Sequence, residues 1–523
     1  MEKNPTTPLF TSFLKNLEVA DHIQNSKKNI HVNELTGSVY FFYEKIRNAV
    51  EYREQHLFRR SAIERLISRK VFINEDALHG LGEQILKELI NTRYLGNDTI
   101  PASMADEINT ILSKYHNTYK VLKNIPEKSV KKYLGDFLVM AACEIEAKIW
   151  PYQEEEAYLN FTYNSFLDDI SISSNINETI ACTSVYFAVH RSLWKSDLPT
   201  IEYYLFKNSF PEWRTCKFDT DGIAKNYIGF KKQLEETQKS EVFPQVQKII
   251  RKNIAPYKII KIALLKRQMS NQVGHKDLFL KQTNQVLIDE YNTVKAKTNQ
   301  KIIQSIIYIF LTKVFLAFII ELPYDVIIEG HIKYIPLAIN LLFPPAFMFF
   351  IGSLISSPSS NNTKAIIKKI ETIIYIGFEK PEFQIGGKKR KSHPIFFFLY
   401  LLTLIGSFSL VIYLLLLLNF NIVNGLVFFI FFSTVSFFGY RVSQGAKELV
   451  LVENKKTFRE VLLDFLTLPF IKAGQWLSDK YSKINVFVFI LDYIIELPLK
   501  SFLNIFEEWS SFINKKKEDL LDK

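Results

Sequence analysis

From Pro394 to Phe420 the chain reads "PIFFFLYLLTLIGSFSLVIYLLLLLNF", with no charged side chain in it. That run exceeds the roughly 20 apolar residues a helix needs to cross a hydrocarbon core ~30 Å thick. Soluble proteins do not leave so large an apolar surface in water, so the segment commits the chain to a membrane. A second run, Ile422–Tyr440 ("IVNGLVFFIFFSTVSFFGY"), follows after almost no loop, and the two are expected to form a tight hairpin. Ile335–Ile355 is a third expected span, broken in its middle by Pro344 and Pro345, because proline removes a backbone donor and clashes with the preceding turn. Ile302–Ile320 is the fourth, with Lys313 near its centre.

Short flanking loops orient such spans, since Lys and Arg are retained on the cytoplasmic side. Between the second and third spans stand Lys364, Lys368, Lys369, Lys380 and the run Lys388, Lys389, Arg390, Lys391, against Glu371, Glu379 and Glu382. Lys295, Lys297 and Lys301 precede the first span, and Arg441 and Lys447 follow the last. Four spans put every basic cluster on one face, whereas an odd number strands one. The expectation is a multi-pass protein of the cytoplasmic (inner) membrane with both termini cytoplasmic. The topology-setting run at 388–391 is expected to meet anionic lipid. Lysine beside membrane spans also accounts for the formal net charge of +11, so no nucleic-acid partner is expected.

The region before the spans reads as successive amphipathic helices. Val130, Leu134, Phe137, Leu138, Ala141 and Ile145 form one apolar stripe, and Met104, Ile108, Ile111 and Tyr115 another. No stretch alternates with the two-residue period of a strand, so no sheet of consequence is expected. From Asp277 to Ile320 nothing breaks a helix, and the last helix of this region is expected to run into the first span. The N-terminal stretch "MEKNPTTPLFTSFLKNLEVADH" has no apolar core and no small-residue cleavage site, so no cleaved signal peptide is expected there. Cys143, Cys182 and Cys216 are far apart, without a CxxC pair, which fits a reduced compartment and neither a disulfide scaffold nor a cysteine zinc site.

"IIELP" occurs at Ile319–Pro323 and again at Ile494–Pro498, and "LTLP" ends at Pro469. The expectation is that each ends a membrane-associated helix. Glu321 and Pro323 mark the exit of the first span to water. Glu496 and Pro498, with Trp476 at headgroup level, mark helices lying flat on the membrane, because central charges make a spanning helix expensive.

Catalytic signatures are sparse. There is no GxxxxGK[ST], HExxH or GxSxG, and "IGGKKRKS" lacks the glycine spacing of a phosphate loop. Glu144 and Glu146 stand two apart, which on a helix points them in different directions. His190 in "YFAVHRSLWKSD" has no partner base visible in sequence and reads as a packed helix end. Lys313 is the ionisable residue that most needs an account: in lipid it must face a bundle interior, pair with an acid or reach a surface. Asn340 and the proline pair are placed to share such an interior. No catalytic residue, cofactor or metal is expected.

Four stretches, "YEKIRNAVEYREQHLFRRSAIERLI" (43–67), "KELINTRYL" (87–95), "YFAVHRSLWKSD" (186–197) and "KINVFVFILDYIIELPLKSFLNIFEEW" (483–509), resemble an uncharacterised family of polytopic membrane proteins from small-genome candidate bacterial lineages. The resemblance covers nearly the whole chain and implies no activity.

The fold class expected is all-α: a helical cytosolic domain, a four-helix transmembrane region and C-terminal amphipathic interfacial helices. The boundaries are a flexible segment 1–36, the helical domain 37–300, a transmembrane hairpin 301–355, a basic loop 356–393, a second hairpin 394–440 and a membrane-surface tail 441–523. The expected function is a membrane-anchored scaffold holding a protein partner through its helical domain. The alternatives are a transporter or channel with a polar pathway near Lys313 and, behind it, a membrane enzyme.

Overall fold

The computed structural model describes residues 4–18, 30, 41, 44–45, 54–73, 80–126, 128–215, 219–355, 358–386, 394–452 and 458–483, with 505, 509, 512 and 513. Lys388, Lys389, Arg390, Lys391, Glu496 and Pro498 lie outside the described residues. The chain is about 82% helical with almost no strand, which makes it all-α. It divides into two compact units.

The helical unit takes in Pro8–Arg251 and Glu379–Gly386. Its helices include α1 (Pro8–Glu18), α2 (Gln55–Ile73), α3 (Gly82–Asn91), α4 (Ser103–Asn124), α5 (Lys128–Ile149), α6 (Gln153–Asp169), α7 (Glu178–Val189), α8 (Leu198–Ser209) and α9 (Thr220–Lys239). Helix α5 packs on α2, α4 and α8, because its stripe buries Val130, Phe137, Ala141 and Ile145 together. Tyr115, Trp213 and Tyr227 surround Phe137 edge-on or tilted, with Tyr115 and Tyr227 ring centroids at 4.9 and 4.8 Å, and Phe206 packs edge-on against Trp213 and Tyr227.

Two details differ from expectation. Within the segment expected to be flexible, Pro8–Glu18 is a helix whose Phe10 and Phe13 are buried against Phe161 and Tyr158. Their three-residue spacing puts both rings on one face. Within the basic loop, Phe383–Ile385 (β2) pairs in parallel with Ile170–Ile172 (β1), in the register Ile170 to Phe383 and Ile172 to Ile385.

The second unit takes in Lys252–Phe378 and Gly387–Asn485. Helix α10 (Lys276–Leu316) runs without interruption for 41 residues, as its unbroken sequence predicts. A π turn at Ala317–Glu321 and α11 (Leu322–Ile327) extend it. Then come α12 (Tyr334–Ser353), α13 (Ser360–Glu371), α14 (Pro394–Leu417), α15 (Ile422–Ala446) and α16 (Phe458–Lys483). Among the described residues four helices are long and apolar enough to cross a membrane: Lys276–Ile327, Tyr334–Ser353, Phe397–Leu417 and Ile422–Leu449. Only 17% of the apolar window in Phe397–Leu417 is buried by the protein, so Phe397, Phe398, Leu402 and Ile405 need another apolar phase to cover them.

Prolines do not end these helices. Pro344 and Pro345 lie inside an unbroken α12, Pro469 lies inside α16, and Pro323 sits in the first turn of α11 while the helix continues to Ile327. At Pro323 the wider π turn just ahead gives the ring room, and in α12 the expected break is absent because packed neighbours hold the helix through the lost bonds.

Helix α16 also departs from the flat surface helix expected of it. It packs on α14 and α15, with Phe470 buried among Phe408, Phe429 and Phe432, and Gly474 against Ser433 near the middle of α15. A helix lying on the membrane face would meet the ends of the spans instead. Trp476, placed at headgroup level from sequence, is exposed on the outer side of α16. A Cβ at position 474 would lie 2.1 Å from the Ser433 carbonyl oxygen. Gly474→Leu is therefore expected to part α16 from α15. It should lose at least the roughly 1–3 kcal/mol typical of overpacking, because backbone cannot yield as a side chain does. Thermal unfolding in detergent reads this directly, and an unchanged midpoint would remove the contact from the account.

Candidate functional site in the apolar unit

Lys313 is fully buried in the last turn of α10, and its Nζ donates to Glu321 Oε1 at 2.6 Å. The pairing depends on the π turn. Two α-helical turns take about 7.2 residues, and a π turn inserts roughly one more, so residues eight apart come to share a face. Phe431 of α15 lies under the ammonium, 4.7 Å from Nζ to the ring centroid. Glu321 is itself fully buried, and its second oxygen accepts from Asn340 Nδ2 of α12 at 2.9 Å. The expectation that Glu321 marks an exit to water is thus corrected: a facing ammonium holds it inside.

The network continues to the start of α15. Asn340 Nδ2 also donates to the Asn424 backbone oxygen at 3.0 Å. Asn421 caps α15, its side chain accepting from Asn424 N at 2.7 Å. Asp325 of α11, fully buried, accepts at Oδ1 from Asn421 Nδ2 (2.7 Å) and Asn424 Nδ2 (3.2 Å), and at Oδ2 from the Lys333 backbone N–H (3.2 Å). Two acceptors are left over: Asn340 Oδ1 and Asn424 Oδ1 are buried without a hydrogen-bond partner among the described residues.

Charge is not balanced here. Lys313 and Glu321 neutralise one another, and Lys333 pairs with Glu329 at 3.0 Å toward the surface. Among the described residues Asp325 receives only amide donors. The cluster therefore carries one more carboxylate than ammonium, in a unit whose surroundings are apolar, where an uncompensated charge is expensive.

Of the residues singled out from sequence, Lys313 and Asn340 come together through Glu321. Pro344 is buried one turn beyond Asn340 without breaking the helix. Sequence reading missed Asp325, Asn421 and Asn424 and the pairing role of Glu321. The signals were present as acids just past an apolar run and as "NIVN" opening the next span. Among the described residues no group of three or more His, Cys, Asp or Glu side chains is placed to hold a metal ion.

The helical unit holds a second concentration of titratable groups. Glu144 and Glu146 diverge as helical spacing requires. Glu144 accepts from Lys114, from Tyr115 at 3.0 Å and from Trp213 Nε1 at 3.0 Å, while Glu146 accepts from Arg59 at 2.9 Å and Tyr152 at 2.6 Å. A small cavity beside Glu146 is lined by His56, Arg60, Cys143, Trp194 and Tyr204. Asp197 does not meet His190. It accepts from Arg60 at 2.7 Å and caps α8. His190 is packed on Tyr186, with ring centroids 4.4 Å apart.

Burial holds His190 neutral, with its pKa lowered to about 3, and burial with the nearby Arg59 lowers His56 to about 4. Both folded values lie below the unfolded ~6.5, so the unfolded chain binds the extra protons. Stability from these groups is complete above pH ~6.5 and is lost as pH falls toward their folded values. Between pH 7 and pH 5 each is expected to remove about 2 kcal/mol. His190→Phe should unfold less steeply with acid than the wild type in circular dichroism melts, and an unchanged pH slope would contradict the assignment.

Compared with protein-family models, with curated proteins and with solved structures, the chain matches none.

Proposed function

We propose that this is a multi-pass protein of the cytoplasmic membrane, with both termini cytoplasmic, whose spanning bundle is a transport or channel module. The observation that carries this reading is the hydrogen-bonded network linking Lys313, Glu321, Asn340, Asn424 and Asp325, all fully buried and drawn from the first, second and fourth of the apolar helices. Ionisable groups inside spans are costly, and they recur where ions or protons are handled. The basic residues at 295–301, 364–380 and 441–447 support the orientation. The family of polytopic bacterial proteins that the sequence resembles fits the same setting.

The test is flux in liposomes containing the full-length protein. Alkali-cation and proton gradients are followed with entrapped dyes, and protein-free vesicles serve as the blank. Protein-dependent flux supports the reading, and none under either gradient, with correctly inserted protein, removes it.

A second reading, the membrane-anchored scaffold, has one specific observation in its favour. The Phe383–Ile385 strand, which lies in the chain between the second and third spans, is hydrogen-bonded into the helical unit. A stoichiometric protein partner recovered with the chain from its native membrane, in the absence of flux, would favour that reading.

A further inference from the structure

We propose that the apolar unit binds one alkali cation between α11, α12 and the start of α15, with Asp325 as its counter-charge and the side-chain oxygens of Asn340 and Asn424 among its ligands. This rests on reading the buried network as the working site. Three observations converge. Among the described residues the cluster is one positive charge short. Asn340 Oδ1 and Asn424 Oδ1 are fully buried acceptors with no donor. Both amides are fixed by their nitrogens, since Asn340 Nδ2 is held by Glu321 and the Asn424 carbonyl, and Asn424 Nδ2 by Asp325. A donor set of one carboxylate and two amide oxygens is hard and weakly charged, which suits a monovalent cation better than a divalent one.

A proton is the obvious competitor. Asp325, however, already accepts two amide donors on Oδ1 and a backbone N–H on Oδ2, the pattern of an ionised, acceptor-only carboxylate. All three groups that reach Asp325 are donors, and none of them could accept from a protonated carboxyl. An alkali ion adds charge without displacing any of these bonds.

The experiment measures thermal unfolding of the purified full-length protein in mild detergent, in NaCl, KCl and choline chloride at equal ionic strength, alongside calorimetric titration with Na⁺ and K⁺. The wild-type midpoint is expected to rise in one or both alkali salts over choline. Asp325→Asn, which keeps the shape and removes the charge, is expected to bind at least tenfold more weakly and to lose the shift. Asn340→Leu, which leaves every carboxylate in place, is read in the same way if Asp325→Asn does not fold.

Equal wild-type midpoints in all three salts with no heat of binding overturn the proposal. So does an undiminished response in the variants, or stabilisation by acid alone. Cation binding without flux would leave the site standing and remove the transport reading. Flux without cation binding would do the reverse.

Discussion

Lys313→Leu is expected to destabilise the protein by about 3–5 kcal/mol, the loss typical when one partner of a buried ion pair is removed. The ammonium is fully buried and donates to Glu321 Oε1, which is equally buried. Leucine leaves that carboxylate with a single amide donor, Asn340, in an apolar unit. A lone snorkelling lysine would tolerate leucine or gain from it, so the sign of the effect discriminates. Glu321→Leu should cost a similar amount. The double variant Lys313→Leu, Glu321→Leu is expected to return close to wild type, because replacing a whole buried pair by apolar groups is often neutral or stabilising. The resulting cycle of unfolding free energies should show a coupling well above the roughly 0.5 kcal/mol within which independent sites add. Additive single variants would mean the pair does not exist in the folded protein.

Lys231→Met is expected to have a comparable effect in the helical unit. Lys231 Nζ donates to both oxygens of Glu202, at 2.9 and 2.8 Å, and to Asp136 at 2.7 Å. Lys231 and Glu202 are both buried, so removing the ammonium strands a carboxylate in the core and should cost about 3–5 kcal/mol. The pH dependence supplies a second signature. Burial already raises the pKa of Glu202 above the ordinary carboxylate value, against the pull of Lys231. Methionine removes that pull and raises the pKa further. A carboxylate that binds its proton more tightly when folded loses stability as pH rises. The deficit of Lys231→Met should therefore widen between pH 5 and pH 8, read as the gap between variant and wild-type urea midpoints. A gap that does not change with pH would place the cost in packing instead.

The parts of this fold legible in the sequence are those set by composition and by regular period. The four apolar helices and the long join through α10 follow from unbroken apolar or helix-forming runs. The α5 stripe and the divergence of Glu144 from Glu146 follow from 3.6-residue geometry. Features that depend on one irregular turn were hidden. Without the π turn at Ala317–Glu321 a spacing of eight residues does not align, so Glu321 read as a surface marker instead of the partner of Lys313. Pro344, Pro345 and Pro469 read as stops because sequence shows the missing N–H but not the neighbours that hold the helix together. Gly474 carried no periodic signal at all. Its meaning comes from the Ser433 carbonyl of another helix. Helix α1 is too short for its two phenylalanines to stand out, and β2, at three residues, is shorter than any alternation that could announce it.

The most direct test of whether the buried network works or merely fills space is flux through liposomes containing the Lys313→Leu, Glu321→Leu double variant, beside wild type at matched protein density. The variant should retain the wild-type unfolding midpoint, so folding and function separate in a single preparation. Wild type is expected to carry a protein-dependent cation flux, and the double variant to fall to the protein-free blank. Flux undiminished in a folded double variant would contradict this expectation and reduce the pair to internal packing.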